Sequence, residues 1–211
     1  MMLARTMVRD ATAGVAIAET PEDLTAFLKP GCAAAIWRRQ PAPGFQNWID
    51  TLDPTRLPQG RIILRPHAVT MAVTELCDIA KTPAGPEREQ LVGDIGALAD
   101  IFAGLIQASY LRLRLQPVTS NTCRKFHIDA ITARLVCTYR GQGTQYGISS
   151  AGQDPTRIFS VATGAPILLR GTRWPATPAT GLLHRSPPIE GTGETRLVLV
   201  LDAVDRMEDA I

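Results

Sequence analysis

The sequence lacks the features that would place it directly in several classes of protein. Its four cysteines are scattered and form no C-x-x-C pair, so neither a disulfide framework nor an all-cysteine zinc site is expected. The formal net charge is +2 and no long run of Lys or Arg occurs, which argues against nucleic acid as a partner. The apolar runs are short and interrupted by charges, so no transmembrane helix and no membrane partner are expected.

Residues 1–20 also lack a charged start followed by a continuous apolar core. No signal peptide is therefore expected, and the predicted location is a reducing cytoplasm. Hydrophobic residues make up 45% of the 211-residue chain, which is enough to bury a substantial core. This length and composition predict a single domain over residues 1–211.

The first half of the chain is dominated by helical spacing of its apolar residues. The last and longest predicted helix carries one apolar stripe formed by Leu91, Ile95, Leu98 and Phe102. Residues 1–109 are therefore predicted to be mainly helical, after a weakly patterned start. A first helix is predicted to begin at Pro21, with Thr20 as its N-cap, and to end before Pro30. Further helices are predicted at residues 43–52, 69–80 and 87–109, together with a short buried strand at residues 33–37 and a short apolar run at residues 61–64.

The second half changes to the period of two that is typical of strands. Turn residues separate short apolar segments at regular intervals, with no helical segment between them. Eight such strands predict a jelly roll, so the expected fold is α+β, with the helical part packed on a C-terminal double-stranded β-helix (jelly-roll) barrel over residues 110–205. The predicted strands are residues 111–115, 124–128, 131–139, 144–148, 158–161, 166–169, 181–184 and 195–201.

Two of the three histidines lie in this second half and suggest a metal site. His127 and Asp129 are two residues apart, so on a strand they point to the same face. His184, at the end of a later strand, is the natural third ligand. Two histidines and one carboxylate on one side of a metal leave coordination positions open, as in non-haem Fe(II) oxygenases.

Each of these residues also has a simpler interpretation. His127 and Asp129 would form a surface pair, His184 would be a turn residue before the following prolines, and Arg196 would be an exposed arginine of the last strand. Cys123 would be either a buried thiol or a fourth ligand that favours zinc.

The order of His127, Asp129, His184 and Arg196 resembles that of the Fe(II)/2-oxoglutarate-dependent dioxygenases. The resemblance implies that the first three bind Fe(II) and that Arg196 holds the distal carboxylate of 2-oxoglutarate through a guanidinium fork. Tyr139 is a second expected donor to that carboxylate. Many such enzymes carry a serine two residues after the arginine, whereas this chain has Val198.

Several segments of the second half also resemble the bacterial family called domain of unknown function 1826. This resemblance implies little chemistry beyond metal handling or adaptation to metal shortage. The matching segments are residues 123–129, 134–144, 168–171, 184–188 and 196–202.

Two functions follow as expectations. The first is an oxygenase that uses Fe(II) and 2-oxoglutarate to oxidise an unknown small-molecule or protein substrate, with Arg196 and Tyr139 as its cosubstrate and catalytic residues. The second is a non-catalytic protein of metal homeostasis, in which the same three ligands hold zinc. The sequence leaves open whether the chain forms a homodimer.

Overall fold

The computed structural model describes residues 14–149, 152–175 and 181–204, and its largest feature is a seven-stranded sheet. The strand order is β1-β2-β8-β5-β10-β4-β3. β1 and β2 run parallel, and the other neighbouring pairs are antiparallel. The strands are β1 (Val15–Ala18), β2 (Ala34–Trp37), β3 (Gly60–Leu64), β4 (Tyr110–Val118), β5 (Ala133–Arg140), β8 (Pro166–Arg170) and β10 (Arg196–Val204).

A smaller sheet has the strand order β7-β6-β9 and is antiparallel. Its strands are β6 (Gln145–Ile148), β7 (Phe159–Ser160) and β9 (Leu182–Arg185). The segment predicted as a strand at residues 124–128 forms only a single bridge, between His127 and His184.

Three α-helices lie close to their predicted positions, and they cover one face of the large sheet. Leu91, Ile95, Leu98 and Phe102 are fully buried, as the apolar stripe predicts. They belong to the same core as the alternate leucines of β4, β5 and β10. The helices are α1 (Pro43–Thr51), α2 (Val69–Ile79) and α3 (Pro86–Ile106).

The opposite face of the large sheet packs against the small sheet. Val136, Val198 and Val200 point away from the helices and share a second core with Tyr146 and Leu182 of the small sheet. The strict alternation along β10 therefore divides the protein into a helix-covered core and a second space between two sheets.

The architecture confirms the expected mixture of helices with a large antiparallel sheet. Helices form most of the described first half, and its three short strands, β1, β2 and β3, extend the sheet at both of its edges. The apolar segments at residues 33–37 and 61–64 correspond to β2 and β3, whereas β1 was not predicted. The weakly patterned residues 1–13 lie outside the described residues. No helix among the described residues is long and apolar enough to cross a membrane.

Replacing Phe102 with Ala should destabilise the protein by about 3–5 kcal/mol, because the ring is fully buried between helix and sheet. The matched control is Met71→Ala on α2, whose side chain is 73% exposed, with an expected change within about 0.5 kcal/mol. Urea unfolding followed by circular dichroism measures both values. Equal effects of the two substitutions would contradict the described packing.

Candidate metal centre

A backbone bridge places His127 and His184 side by side. The His127 amide donates to the His184 carbonyl at 3.1 Å, and the His184 amide donates to the His127 carbonyl at 3.0 Å. The two imidazole rings have centroids 4.5 Å apart. Since His184 also pairs with Tyr146 in the small sheet, the bridge fixes the His127 segment to an ordered strand.

The carboxylate of Asp129 lies between the two imidazoles. Its Oδ1 is 3.5 Å from His127 Nε2, and its Oδ2 is 3.0 Å from His184 Nε2. All three residues are at least partly shielded, and His184 is the most buried, with 7% exposure. The structure thus brings together all three residues that the sequence singles out as metal ligands.

Arg134 of β5 supports this carboxylate from the large sheet. Its Nη1 lies 2.6 Å from Asp129 Oδ2, while its Nε and Nη2 donate to the two oxygens of Asp202 at 2.6 and 3.0 Å. Asp202 is the direct register partner of Arg134 on β10. The guanidinium therefore links the site to the two central strands of the sheet.

The site strongly favours an ionised Asp129. Burial alone would raise the pKa of Asp129, but the contacts with His127 and His184 and the charge of Arg134 outweigh it and hold the pKa well below its usual range. Contact with Asp129 raises the pKa of His127, whereas burial lowers the pKa of His184 despite the same carboxylate. A neutral His184 keeps a lone pair for a metal.

The geometry fits a divalent cation. One ligand atom from each of the three residues can be chosen so that all lie within 4.8 Å of one another. Two ligand atoms at about 2.1 Å from a metal and at right angles are about 3 Å apart. The contact of His184 Nε2 with Oδ2 has this length, and that of His127 Nε2 with Oδ1 is 3.5 Å. Oδ2 of Asp129 is buried and makes no hydrogen bond of good geometry, so its lone pairs are available to a cation.

A second contact orients His127 toward the same point. Its Nδ1 lies 2.9 Å from the Lys125 carbonyl, which can only accept a hydrogen bond. Nδ1 therefore donates this bond, and in the neutral ring Nε2 would present its lone pair on the side of Asp129. Such a carbonyl contact is the usual support of a metal-binding histidine.

His127 and His184 open onto a cavity of about 200 Å³ between the two sheets. Its floor is formed by the outward-facing residues of β4, β5 and β10, and Arg196 lines the same space. An open cavity beside the three ligands leaves room for further ligands on the metal. Cys123 also lines this cavity, but it is not part of the ligand cluster found among the described residues.

The predicted role of Tyr139 requires correction. Its side chain lies in the helix-covered core, and its hydroxyl donates to Asp94 Oδ2 at 2.6 Å. Leu135, Cys137 and Tyr139 alternate along β5 and share the face that packs on the helices. Tyr139 therefore cannot contact a ligand in the cavity on the opposite face.

The sequence-based interpretation counted Arg134 among several arginines that could line an anionic pocket, but it assigned no contact to it and no role to Arg114 or Thr138. Arg134, Arg114 and Thr138 all alternate with core residues, and this period of two would have placed them on the cavity side. The partnership of Arg134 with Asp202 carries no local signal, because it depends on the register of β5 against β10.

The chain belongs to the family "Protein of unknown function (DUF1826)", whose model matches residues 18–202. This finding confirms the resemblance of the second half and extends it over most of the chain. No curated protein matches the chain at the sequence level.

Solved structures show which fold the chain shares. Dioxygenase for auxin oxidation 1 from Arabidopsis thaliana, solved with 2-oxoglutarate, superposes with a TM-score of 0.53 at 12% identity, over 95% of each chain. The rice dioxygenase for auxin oxidation gives 0.49 at 15% identity, over 92% of this chain and 83% of its own. A prolyl-4-hydroxylase from Pseudomonas putida gives 0.44 at 11% identity, over 89% and 100%. The first of these likenesses establishes a dioxygenase-like fold.

Replacing Gly171 with Ala should weaken metal binding. A Cβ at this position would lie 2.0 Å from the Ile131 carbonyl oxygen and 2.7 Å from that of Asp129, so the segment carrying Asp129 must shift. Overpacking of this kind costs about 1–3 kcal/mol. Titration of the metal-free protein with Fe(II) under argon measures the effect on affinity.

Gly93→Ala is the matched control for this substitution. No atom lies within 4 Å of a Cβ added at Gly93 on α3, so metal affinity should stay unchanged. Unchanged affinity in Gly171→Ala as well would show that the Asp129 segment is not held as described.

Proposed function

We propose that this member of the DUF1826 family is an oxygenase that uses Fe(II) and 2-oxoglutarate, built on a barrel of the double-stranded β-helix (jelly-roll) type. His127, Asp129 and His184 would bind the iron. Arg196 would bind the distal carboxylate of 2-oxoglutarate. The observation that carries the proposal is Arg196 itself, a buried cation in the same cavity as the three ligands.

Arg196 is only 1% exposed, and its known partners are neutral. Its Nε donates to the Gln142 carbonyl at 2.6 Å and its Nη2 to Thr138 Oγ1 at 3.2 Å. Within the described part of the chain no carboxylate forms an ion pair with it, and burial lowers its pKa to about 10. The charge of Glu194 opposes this shift of the pKa only in part. A buried guanidinium without a direct ion pair is costly, so a dicarboxylate that enters the cavity would compensate it.

Val198 departs from the pattern of the 2-oxoglutarate-dependent dioxygenases, but a hydroxyl still lies next to Arg196. Many related enzymes place a serine hydroxyl two residues after the arginine. Here Thr138 lies directly opposite Val198 on β5, and its hydroxyl already contacts Arg196. The missing hydroxyl would thus be supplied by the neighbouring strand.

The protein's own part in the reaction would be to bind, orient and exclude water. Iron, 2-oxoglutarate and O2 would together supply the oxidising power for a substrate C–H bond. Arg134 would keep Asp129 ionised and fixed, and Lys125 would hold His127 in the ligating tautomer. The apolar side chains of Val136, Val198 and Val200 would keep the cavity dry.

The competing proposal is a non-catalytic protein of zinc homeostasis. The same two imidazoles and carboxylate would accept zinc, because this donor set does not by itself select one metal. The two proposals differ in Arg196, which a metal-handling protein does not need beside its metal.

Anaerobic titration of the metal-free protein with Fe(II) and then 2-oxoglutarate should produce the weak visible charge-transfer band of the chelated cosubstrate. Arg196→Gln should weaken 2-oxoglutarate binding about a hundredfold, because two charge-assisted hydrogen bonds are lost. Fe(II) binding should persist, since the hydrogen bonds of Arg196 go to Gln142 and Thr138 and not to His127, Asp129 or His184.

Arg38→Gln is the matched control for loss of an arginine. Arg38 pairs with Glu19 on the surface, and its side chain is 57% exposed, so the band should be unchanged. Tight zinc binding with no charge-transfer band in the wild-type protein would favour the metal-handling function instead.

A further inference from the structure

The cavity holds a second arginine that the proposed function does not use. Arg114 of β4 alternates with the core residues Leu113 and Leu115 and lines the cavity floor. Within the described residues its guanidinium has neither a hydrogen bond nor an ion pair. A partly buried arginine in this state retains all of its donors for a ligand.

The neighbours of Arg114 make this position electrostatically unfavourable. Arg61 of β3 lies directly opposite it in the register, and like charges at directly opposite positions repel. Burial lowers the pKa of Arg114, and the charges of Arg134 and Arg61 lower it further, against the attraction of Asp202. Such a cluster is relieved when an anion binds.

The net charge of the cavity also favours an anionic ligand. Arg114, Arg134, Arg185 and Arg196 all line it, whereas the nearby carboxylates, Asp129 and Asp202, are both held by Arg134. Arg185 has neutral partners, since its Nε donates to Gln145 and its guanidinium stacks on Phe126. A divalent metal and the dianion 2-oxoglutarate cancel each other, so the cavity stays positively charged after both bind.

We propose that Arg114 binds an oxyanion of the substrate, and that the substrate is therefore a small organic acid carrying a carboxylate or a phosphate. This inference rests on the proposed oxygenase function. Arg114 lies beside Val200, one step along β10 from the Asp202–Arg134 pair that reaches Asp129, whereas Arg196 lies beside Val118. The substrate acid and 2-oxoglutarate would thus occupy different levels of the same cavity.

The size of the cavity limits the acid to a small molecule. With about 200 Å³ available, 2-oxoglutarate leaves room for one compact group near the metal. The valines between the two arginines suit an apolar body attached to the anionic group. A planar guanidinium binds a carboxylate or a phosphate through paired hydrogen bonds, so Arg114 would recognise either group in the same way.

The test uses the full-length protein, loaded anaerobically with Fe(II) and 2-oxoglutarate, and three probes: benzoate, phenyl phosphate and the neutral benzamide. Paramagnetic relaxation of the probe protons in NMR reports binding near the iron, with zinc-loaded protein as the diamagnetic reference. At least one anionic probe should bind, and benzamide should bind at least about tenfold more weakly. The anionic probe that binds more tightly shows whether the substrate carries a carboxylate or a phosphate.

Arg114→Gln should lower the affinity for the anionic probe about ten- to hundredfold and leave the 2-oxoglutarate charge-transfer band intact. Arg114→Lys keeps the charge and should restore part of the affinity, and Arg38→Gln should change nothing. Equal binding of benzoate and benzamide, or unchanged binding in Arg114→Gln, would overturn the inference. So would loss of the 2-oxoglutarate band in Arg114→Gln, since Arg114 would then hold the cosubstrate.

The two proposals fail in distinguishable ways. If wild-type protein gives no 2-oxoglutarate band, the oxygenase proposal fails. Benzoate and phenyl phosphate affinity for the zinc-loaded protein, measured by saturation-transfer NMR, then still tests whether Arg114 binds an oxyanion.

Discussion

The carboxylate of Asp129 lies where three segments of the chain meet, with His184 Nε2 at 3.0 Å and Arg134 Nη1 at 2.6 Å from its Oδ2. Its attraction for these groups gathers the His127 segment, β9 and β5 at one point. Because the contacts are shielded from water, they are stronger than the same pairs would be on the surface. The three side chains are thereby assembled in an arrangement that could hold a cation.

The two-faced sheet explains how a stable core and a polar cavity coexist on the same strands. Along β10, Leu197, Leu199 and Leu201 pack beneath the helices, whereas Arg196 and Val200 face the small sheet. The fully buried leucines anchor each strand, so the opposite side can carry unbalanced charge without loss of the fold. The core on the helix-covered side thus stabilises the fold despite the repulsion between positive charges in the cavity. The same unbalanced positive charge allows the cavity to bind anions.

Much of this architecture could be predicted from periodicity, and the failures have physical causes. Helices α1 to α3 and the pairing of His127 with Asp129 were predicted because period and spacing are local properties. His184 was added from the order of residues in the resembling dioxygenases, since no local pattern links it to His127. The segment around His127 was predicted as a strand, yet it pairs through one bridge only. Tyr139 was assigned to the cosubstrate although its alternation with Cys137 already placed it in the core. The contacts of Arg134 with Asp129 and Asp202 could not be predicted, since they depend on register between distant strands.

The central claim is that one cavity holds a metal on His127, Asp129 and His184 and an acidic cosubstrate on Arg196. A crystal structure of the protein with Mn(II), a redox-inert substitute for Fe(II), and 2-oxoglutarate tests it most directly. The metal should lie on these three residues, chelated by 2-oxoglutarate whose distal carboxylate lies on Arg196. A metal closed off by a fourth protein ligand such as Cys123, or 2-oxoglutarate bound elsewhere, would contradict it.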